Sequence, residues 1–340
     1  MRKRTAEIEK MILRLADSSG VNIASEIAKH FGISKQASAK HLHRLEGKGL
    51  ISSTLKGTKK ISKLSVLERK TWHFPISGLK EDIVWMDFIR PLVSNLPENV
   101  LETWNYGLTE MVNNAIDHSE GKNLTIEYNK TALFVTIYIR DDGEGIFHRI
   151  QRLANLYDPR AAVLELAKGK FTTDPEKHSG EGIFFTSRAF DSFAIISRTL
   201  YFSHQRKKND WLIDSDSDFP GTCVILKLDI DSNQTLNEIY FEFTGSDDDF
   251  NFSKTIVPVK LASLGGEKLV SRSQAKRLVS RFEKFKKVVL DFSQVEEIGQ
   301  PFADEVFRVF IKFNPDIEII PINASTKVQQ MIIRALNLQI

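Results

Sequence analysis

The stretch Glu110 to Ser119, "EMVNNAIDHS", sets a carboxylate, two amides, a second carboxylate and an imidazole in one short segment of helical periodicity. At about 100° per residue Trp104, Leu108, Met111 and Ala115 form a buried stripe, and Glu110, Asn114 and Asp117 fall within roughly 60° of one another. An oxygen-rich face of this kind can hold a hard cation, move a proton, or simply face water. Taken alone, the segment leaves that choice open.

Two further clusters narrow it. Directly after a strand-like run, "RDDGEGI" places Asp141, Gly143 and Gly145 in a D-x-G-x-G pattern, and later "HSGEGIFFTS" places Gly180 and Gly182 either side of Glu181, ahead of an apolar helix. Short Gly-x-Gly strings are common in turns, so each pair alone says little. The ordered set E-x-x-x-N, D-x-G-x-G, G-x-G is specific. It resembles the GHKL, or Bergerat-fold, ATPases, the superfamily of gyrase, histidine-kinase and anti-sigma-factor kinase domains, over roughly residues 75–230.

The resemblance implies ATP and Mg²⁺ as cofactors. Asn114 would ligate Mg²⁺ through its amide oxygen. Glu110 would be the catalytic residue, orienting or deprotonating a water or a substrate hydroxyl. Asp141 would read adenine through its exocyclic amine, with Gly143 and Gly145 letting the backbone come close to the base and Ile146 beside them. Residues from about Phe147 to Ser179 would form a mobile lid. Gly180, Glu181, Gly182 and Ile183 would present backbone N–H groups and a helix N-terminus to the phosphates, with Lys177 and His178 as further phosphate contacts. Asp117 and His118 complete an "NAxxH" pattern of the anti-sigma kinase branch, or serve as structural hydrogen-bonding residues. No G-x-x-x-x-G-K-[ST] motif occurs, so the site is not of the Walker type.

The elements ahead of this region are basic. Net charge over 340 residues is only +3, but residues 1–70 hold 16 Lys and Arg against 6 Asp and Glu, and the remaining residues hold 31 against 38. Such asymmetry is expected where one end meets a polyanion. Ile8, Met11, Ile12 and Leu15 mark a helix over Thr5 to Ala16, "IASEIAKHFG" a second closed by Gly32, and "ISKQASAKHLHRLEGKGLI" a third that starts after an N-cap at Ser34 and ends at Gly47 or Gly49. Two short strands around Gly57 follow. The set resembles a winged helix-turn-helix. It implies double-stranded DNA as partner, met by Lys35, Gln36, Ser38, Lys40, His41 and Arg44 on the third helix and by Lys59 and Lys60 at the hairpin tip. Lysines on a protein-docking module would read the same way.

Residues 71–100 are aromatic-rich and too apolar for a loose linker; a strand pair turning at Asn129-Lys130 follows the long helix, and "TGSDDDFNFS" marks a boundary near residue 250. Beyond it strands and helices alternate, which predicts a small α/β layer. The run "VVLDFSQVEEIGQPFADEVF" resembles the STAS-like fold of anti-sigma-factor antagonists, with Gln300 and Pro301 where that family carries its regulatory serine; Ser293 nearby reads as a turn residue. The expected fold class is multidomain α/β and α+β: a winged helix over 1–70, a Bergerat α/β sandwich with a mixed sheet over 71–232, and a STAS-like α/β domain over 250–340.

Composition, 41% hydrophobic and 27% charged, predicts a soluble chain; without an apolar run of bilayer length or a secretory start, it is expected in the cytoplasm and off the membrane. Cys223 is the single cysteine, so no disulfide framework forms. The functional expectation is an ATP-binding, DNA-binding transcriptional regulator. The alternative is a serine/threonine protein kinase acting on a separate sigma factor or antagonist partner. Winged helices act on palindromic sites as pairs, so a homodimer is expected.

Overall fold

The computed structural model describes residues 2–18, 22–57, 59–172, 179–206, 210–244 and 252–337. The chain is mixed α/β. Strands β3 (Glu68–Pro75), β4 (Asn123–Lys130), β5 (Phe134–Asp141), β6 (Ser192–Gln205) and β7 (Trp211–Asp229) lie in one sheet in the order β3-β4-β5-β7-β6. Among the described residues no helix is long and apolar enough to cross a membrane. The residues separate into two compact units, and the second takes in β6, most of β7 and the carboxy-terminal layer.

The first unit gathers Met1–His73, Thr125–Tyr138 and Lys227–Ser232. Helix Arg2–Asp17 turns Ile8, Ile12, Leu13 and Ala16 inward. Helix Ile23–Phe31 stops at Gly32, whose left-handed backbone (φ 61) returns its N–H to Ala28. The third helix, Lys35–Gly47, is opened by Ser34, whose hydroxyl accepts the Ala37 N–H at 3.1 Å; a cap of this kind contributes about 1 kcal/mol. Strands β1 (Ile51–Lys56) and β2 (Lys59–Leu64) pair antiparallel from Ile51↔Leu64 to Lys56↔Lys59. The core joins Ile12, Ile27, Leu42, Leu45 and Ile51 with Leu133, which comes from the β4–β5 connection. Ion pairs from Lys227 to Asp17 (2.6 Å) and from Lys10 to Asp231 (3.3 Å) add to this unit.

The β4–β5 turn falls at residues 131–133, not at Asn129-Lys130. Asn129 is a buried strand residue that accepts from Arg69 Nε at 2.8 Å. Thr131 makes the turn instead: its hydroxyl accepts the N–H groups of Leu133 and Phe134. A side-chain oxygen supplying the turn's hydrogen bonds removes the need for an Asn or Gly tip.

The second unit holds Phe74–Leu124, Ile139–Leu226 and Asn233–Ile340. Its long helix, Glu98–His118, buries Trp104, Leu108, Met111, Val112 and Ala115. Residues read from the sequence as a lid are largely helical: Ile146–Leu153 and Pro159–Lys168, the latter buried from Ala161 through Lys168. Helix Gly182–Ala189 precedes β6.

The carboxy-terminal layer is a three-stranded parallel sheet, β10-β9-β8, in which β8 (Lys254–Pro258) and β10 (Glu318–Ile322) flank β9 (Lys287–Asp291). Thr255 and Ile319 both stand opposite Val288. Helices connect the strands, as parallel pairing requires: Arg272–Val279, opened by a capping box of Ser271 and Gln274, and a helical run from Gln300 to Phe313. Thr326–Asn337 closes the layer.

Candidate functional site

The chemistry concentrates in the second unit, where β5 ends. Asp141 Oδ1 accepts the backbone N–H of Gly143 at 2.9 Å and that of Thr222 at 3.1 Å. The next carboxylate, Asp142, turns away to accept the N–H groups of Lys122 (2.7 Å) and Asn123 (2.9 Å). Two adjacent aspartates thus have different tasks, one holding the loop and one facing inward. Gly143 permits the crossing, since a Cβ there would lie 2.0 Å from the Ser119 carbonyl oxygen. Thr222 also accepts the Ile146 N–H through its hydroxyl (2.9 Å), tying the start of helix Ile146–Leu153 to β7. Burial pushes the Asp141 carboxyl above the usual range, the N–H donors of Gly143 and Thr222 pull it partly back, and the charge of Asp142 raises it again.

Ile139 and Asp141 sit two apart on β5, as do Thr222 and Val224 on the neighbouring β7, so each pair shares one face of the sheet. All four line a cavity of about 380 Å³. The long helix adds Glu110, Met111, Asn113, Asn114, Ala115, His118 and Ser119, and apolar contributions come from Ile146, Ile150, Leu166 and Phe171. Gly180, Gly182 and Ile183 close it with Thr172 and Ser179. Gly182 lies so near Glu110 that a Cβ would meet Glu110 Oε2 at 2.0 Å, so helix Gly182–Ala189 begins directly against that carboxylate. One turn before Glu110, the Tyr106 phenol is pushed up by burial, by its hydrogen bond with Tyr240 and by the negative charges of Glu110 and Glu181.

Of the residues singled out from the sequence, Glu110, Asn114, His118, Asp141, Gly145, Ile146, Gly180, Gly182 and Ile183 line this one cavity. Asp117 is exposed and does not line the cavity; Gly143 lies between the lining residues Asp141 and Gly145, and Glu181 between Gly180 and Gly182. Burial raises the Glu181 carboxyl and Lys170 partly offsets the effect. Lys177 and His178 lie outside the described residues. Sequence reasoning missed Thr222, Asn113 and Arg149. Thr222 follows a glycine in an ordinary strand run, and only folding brings it to Asp141. Among the described residues no three or more His, Cys, Asp or Glu stand together to hold a metal. A hard cation held through Asn114 would therefore draw its remaining oxygens from phosphate and water.

The basic face lies in the first unit. Lys35, Gln36, Lys40 and Arg44 are exposed on helix Lys35–Gly47, as is His43. Ser38 is fully buried and leaves the exposed set: it is four and seven residues before Leu42 and Leu45, which puts it on the helix's core stripe. His41 is half-buried, 3.9 Å from Glu9, which also receives Arg44 at 3.2 Å. Lys60 pairs with Glu46 at 2.8 Å, and Lys59 opens β2 opposite Lys56.

No curated protein matches the chain. Residues 274–329, which include β9, the Gln300 helix and β10, match the family described as a STAS-like domain of unknown function (DUF4325), so the carboxy-terminal layer carries a STAS-like domain.

Proposed function

We propose that this chain is a nucleotide-responsive DNA-binding regulator. Mg-ATP occupies the cavity of a GHKL-type, Bergerat-fold domain. A winged helix-turn-helix formed by the first three helices and the β1–β2 hairpin engages double-stranded DNA, in a homodimer that meets a palindromic site. The STAS-like domain is the regulatory partner in the same chain. The observation that carries the reading is the convergence of Glu110, Asn114, Asp141, Gly145, Gly180 and Gly182 on one cavity.

The lining suits the ligand. Ile139, Ile146, Ile150 and Val224 offer apolar walls to a planar base, and Asp141 offers an acceptor among them for an amine. Asn114, His118, Arg149, Thr172 and Ser179 supply the polar groups that phosphates require. Mg²⁺, when bound, would screen phosphate charge, with Asn114 as its protein oxygen. Lys35, Gln36, Lys40 and Arg44 present donors to phosphates and base edges.

Calorimetric titration of the pure protein with ATP, in magnesium and in chelator, tests the site. Saturable magnesium-dependent uptake is expected, and none would reject the reading. A filter-binding titration on DNA with and without Mg-ATP tests the coupling, which fails if affinity and stoichiometry are identical.

A second reading, a serine/threonine protein kinase acting on a separate sigma factor or antagonist, is favoured by Glu110, a cavity carboxylate one turn before Asn114. Gln300 and Pro301 open the STAS-like helix without a serine, so the acceptor would be another protein. Radiolabelled ATP with candidate partners separates the two: transfer of label supports the kinase, and its absence supports the switch.

A further inference from the structure

The floor of the cavity continues into a buried polar cluster that the nucleotide reading does not use. Helix Pro159–Lys168 ends in Glu165, Leu166, Ala167 and Lys168, and the chain then runs through Gly169 and Lys170 to Phe171 and Thr172, both in the cavity wall. Several polar groups on this approach are held by the STAS-like domain. The Lys168 ammonium, with no exposure, donates to Glu165 (2.7 Å) and to the carbonyls of Arg277 and Ser280 (both 2.9 Å). Arg281 is the centre: one guanidinium nitrogen reaches Glu165 at 2.6 Å, and the other reaches the carbonyls of Gly169 (3.0 Å) and Lys170 (2.5 Å). The same guanidinium lies 4.9 Å from the ring centroid of Phe171. Lys170 in turn donates to the Lys284 carbonyl and lies over the rings of Phe252 and Phe285.

Both sides of this contact hold unusual backbone. Lys170 (φ 52) and Arg281 (φ 66) are non-glycine residues in the left-handed region, a conformation that persists only where surrounding contacts impose it. Gly180 packs back on Phe171, where a Cβ would come within 2.4 Å of its backbone. Phe171 is thus clamped between the glycine of the phosphate-side motif and an arginine of the STAS-like domain.

We propose that Arg281 is a positioning residue of the nucleotide site, supplied by the STAS-like domain, which holds the Gly169 and Lys170 carbonyls and thereby sets Phe171 and Thr172 in the cavity wall. The proposal rests on the nucleotide reading above and gives the STAS-like domain a task within it: its docking and nucleotide occupancy bias one shared segment. Coupling of this sort is reciprocal, so nucleotide must tighten the STAS-like contact by the factor by which that contact tightens nucleotide.

The test uses the full chain. In the wild type, Mg-ATP is expected to slow amide hydrogen exchange several-fold at residues 280–285 as well as at 141–145. Arg281→Ala is expected to weaken Mg-ATP by about tenfold, a mid-range coupling, and to abolish the nucleotide-dependent protection at 280–285 while keeping that at 141–145. Arg281→Lys, which keeps the charge without the fork, should fall between. A purely structural arginine would lower the melting temperature without breaking that reciprocity. Unchanged exchange at 280–285 in the wild type overturns the proposal even if the alanine variant fails to fold, and so does an alanine variant that binds within about twofold of wild type. Failure of the wild type to bind Mg-ATP removes the nucleotide reading itself, and this proposal with it.

Discussion

Asp141→Asn separates what the fold needs at this position from what a ligand needs. Asp141 Oδ1 accepts two backbone N–H groups, from Gly143 and Thr222. An asparagine oxygen can accept both, so the turn at the end of β5 keeps its hydrogen bonds. The buried charge disappears with the substitution, and its desolvation with it. The carboxyl is raised above its ordinary 3.8 in the fold, so its contribution to stability is full below 3.8 and is lost as pH rises through the higher folded value. The variant should therefore melt at or above the wild-type temperature near neutral pH and lack that slope. Ligand binding moves the other way. The second carboxylate oxygen becomes an NH₂ that cannot accept from an adenine amine, and losing a hydrogen bond to a charged group costs about 1.5–3 kcal/mol, roughly 10- to 150-fold in affinity. Calorimetry with Mg-ATP reads the loss directly. Mg-ITP, with a carbonyl in place of the amine, supplies the control: wild type should prefer ATP, and the variant should lose the preference. Affinity within about threefold of wild type, or a preference left intact, would refute the assignment of Asp141 to the base.

Further expectations concern other parts of the chain. Gly182→Ala must displace the Glu110 carboxylate by about 1 Å, the gap between the 2.0 Å approach and a 3.0 Å contact. It is expected to leave thermal stability within about 1 kcal/mol while Mg-ATP binding or turnover falls by about 10- to 100-fold; melting and titration on the same sample check both. Burial opposes ionisation of Glu46, but hydrogen bonds from Lys60, Ser53 and His43 prevail and carry it down to about 2. Its stabilising contribution is therefore full above 4.5 and lost as pH falls through about 2. Glu46→Gln should flatten the acid limb of a pH-dependent unfolding curve. Lys40→Ala should weaken DNA binding and reduce the salt slope by about one, whereas Ser38→Ala, at a buried position, should leave both unchanged.

Features set by neighbours in sequence were the legible ones. Ser34 and Gly32 bound their helices as their chemistry requires, because a hydroxyl cap and a left-handed stop are local. The alternation after residue 254 indicates a small α/β layer, and the structure makes its strands parallel, joined by crossover helices. The cavity was legible only as far as its motifs carry signature residues. Thr222 joins Asp141 through a strand pairing, and nothing in "GTCV" announces it. Ser38 is polar and so reads as surface, yet its spacing from Leu42 and Leu45 puts it on the core side. The helix Pro159–Lys168 carries its apolar pattern, "AAVLELA", in neighbouring residues. Arg281 carried no signal, since its worth depends on carbonyls more than a hundred positions earlier in the chain.

Leu133 has a consequence for how this protein can be divided. It fills the interior of the basic helices from a hairpin tip far along the chain, while Lys227 and Asp231 bind the first helix from farther still. Recombination that copied only the first seventy codons would leave a hole where that leucine sits and strand Lys10 and Asp17 without their counter-ions. The basic unit is woven from three stretches of one gene, so it can be inherited or transplanted only together with the sequence that threads it.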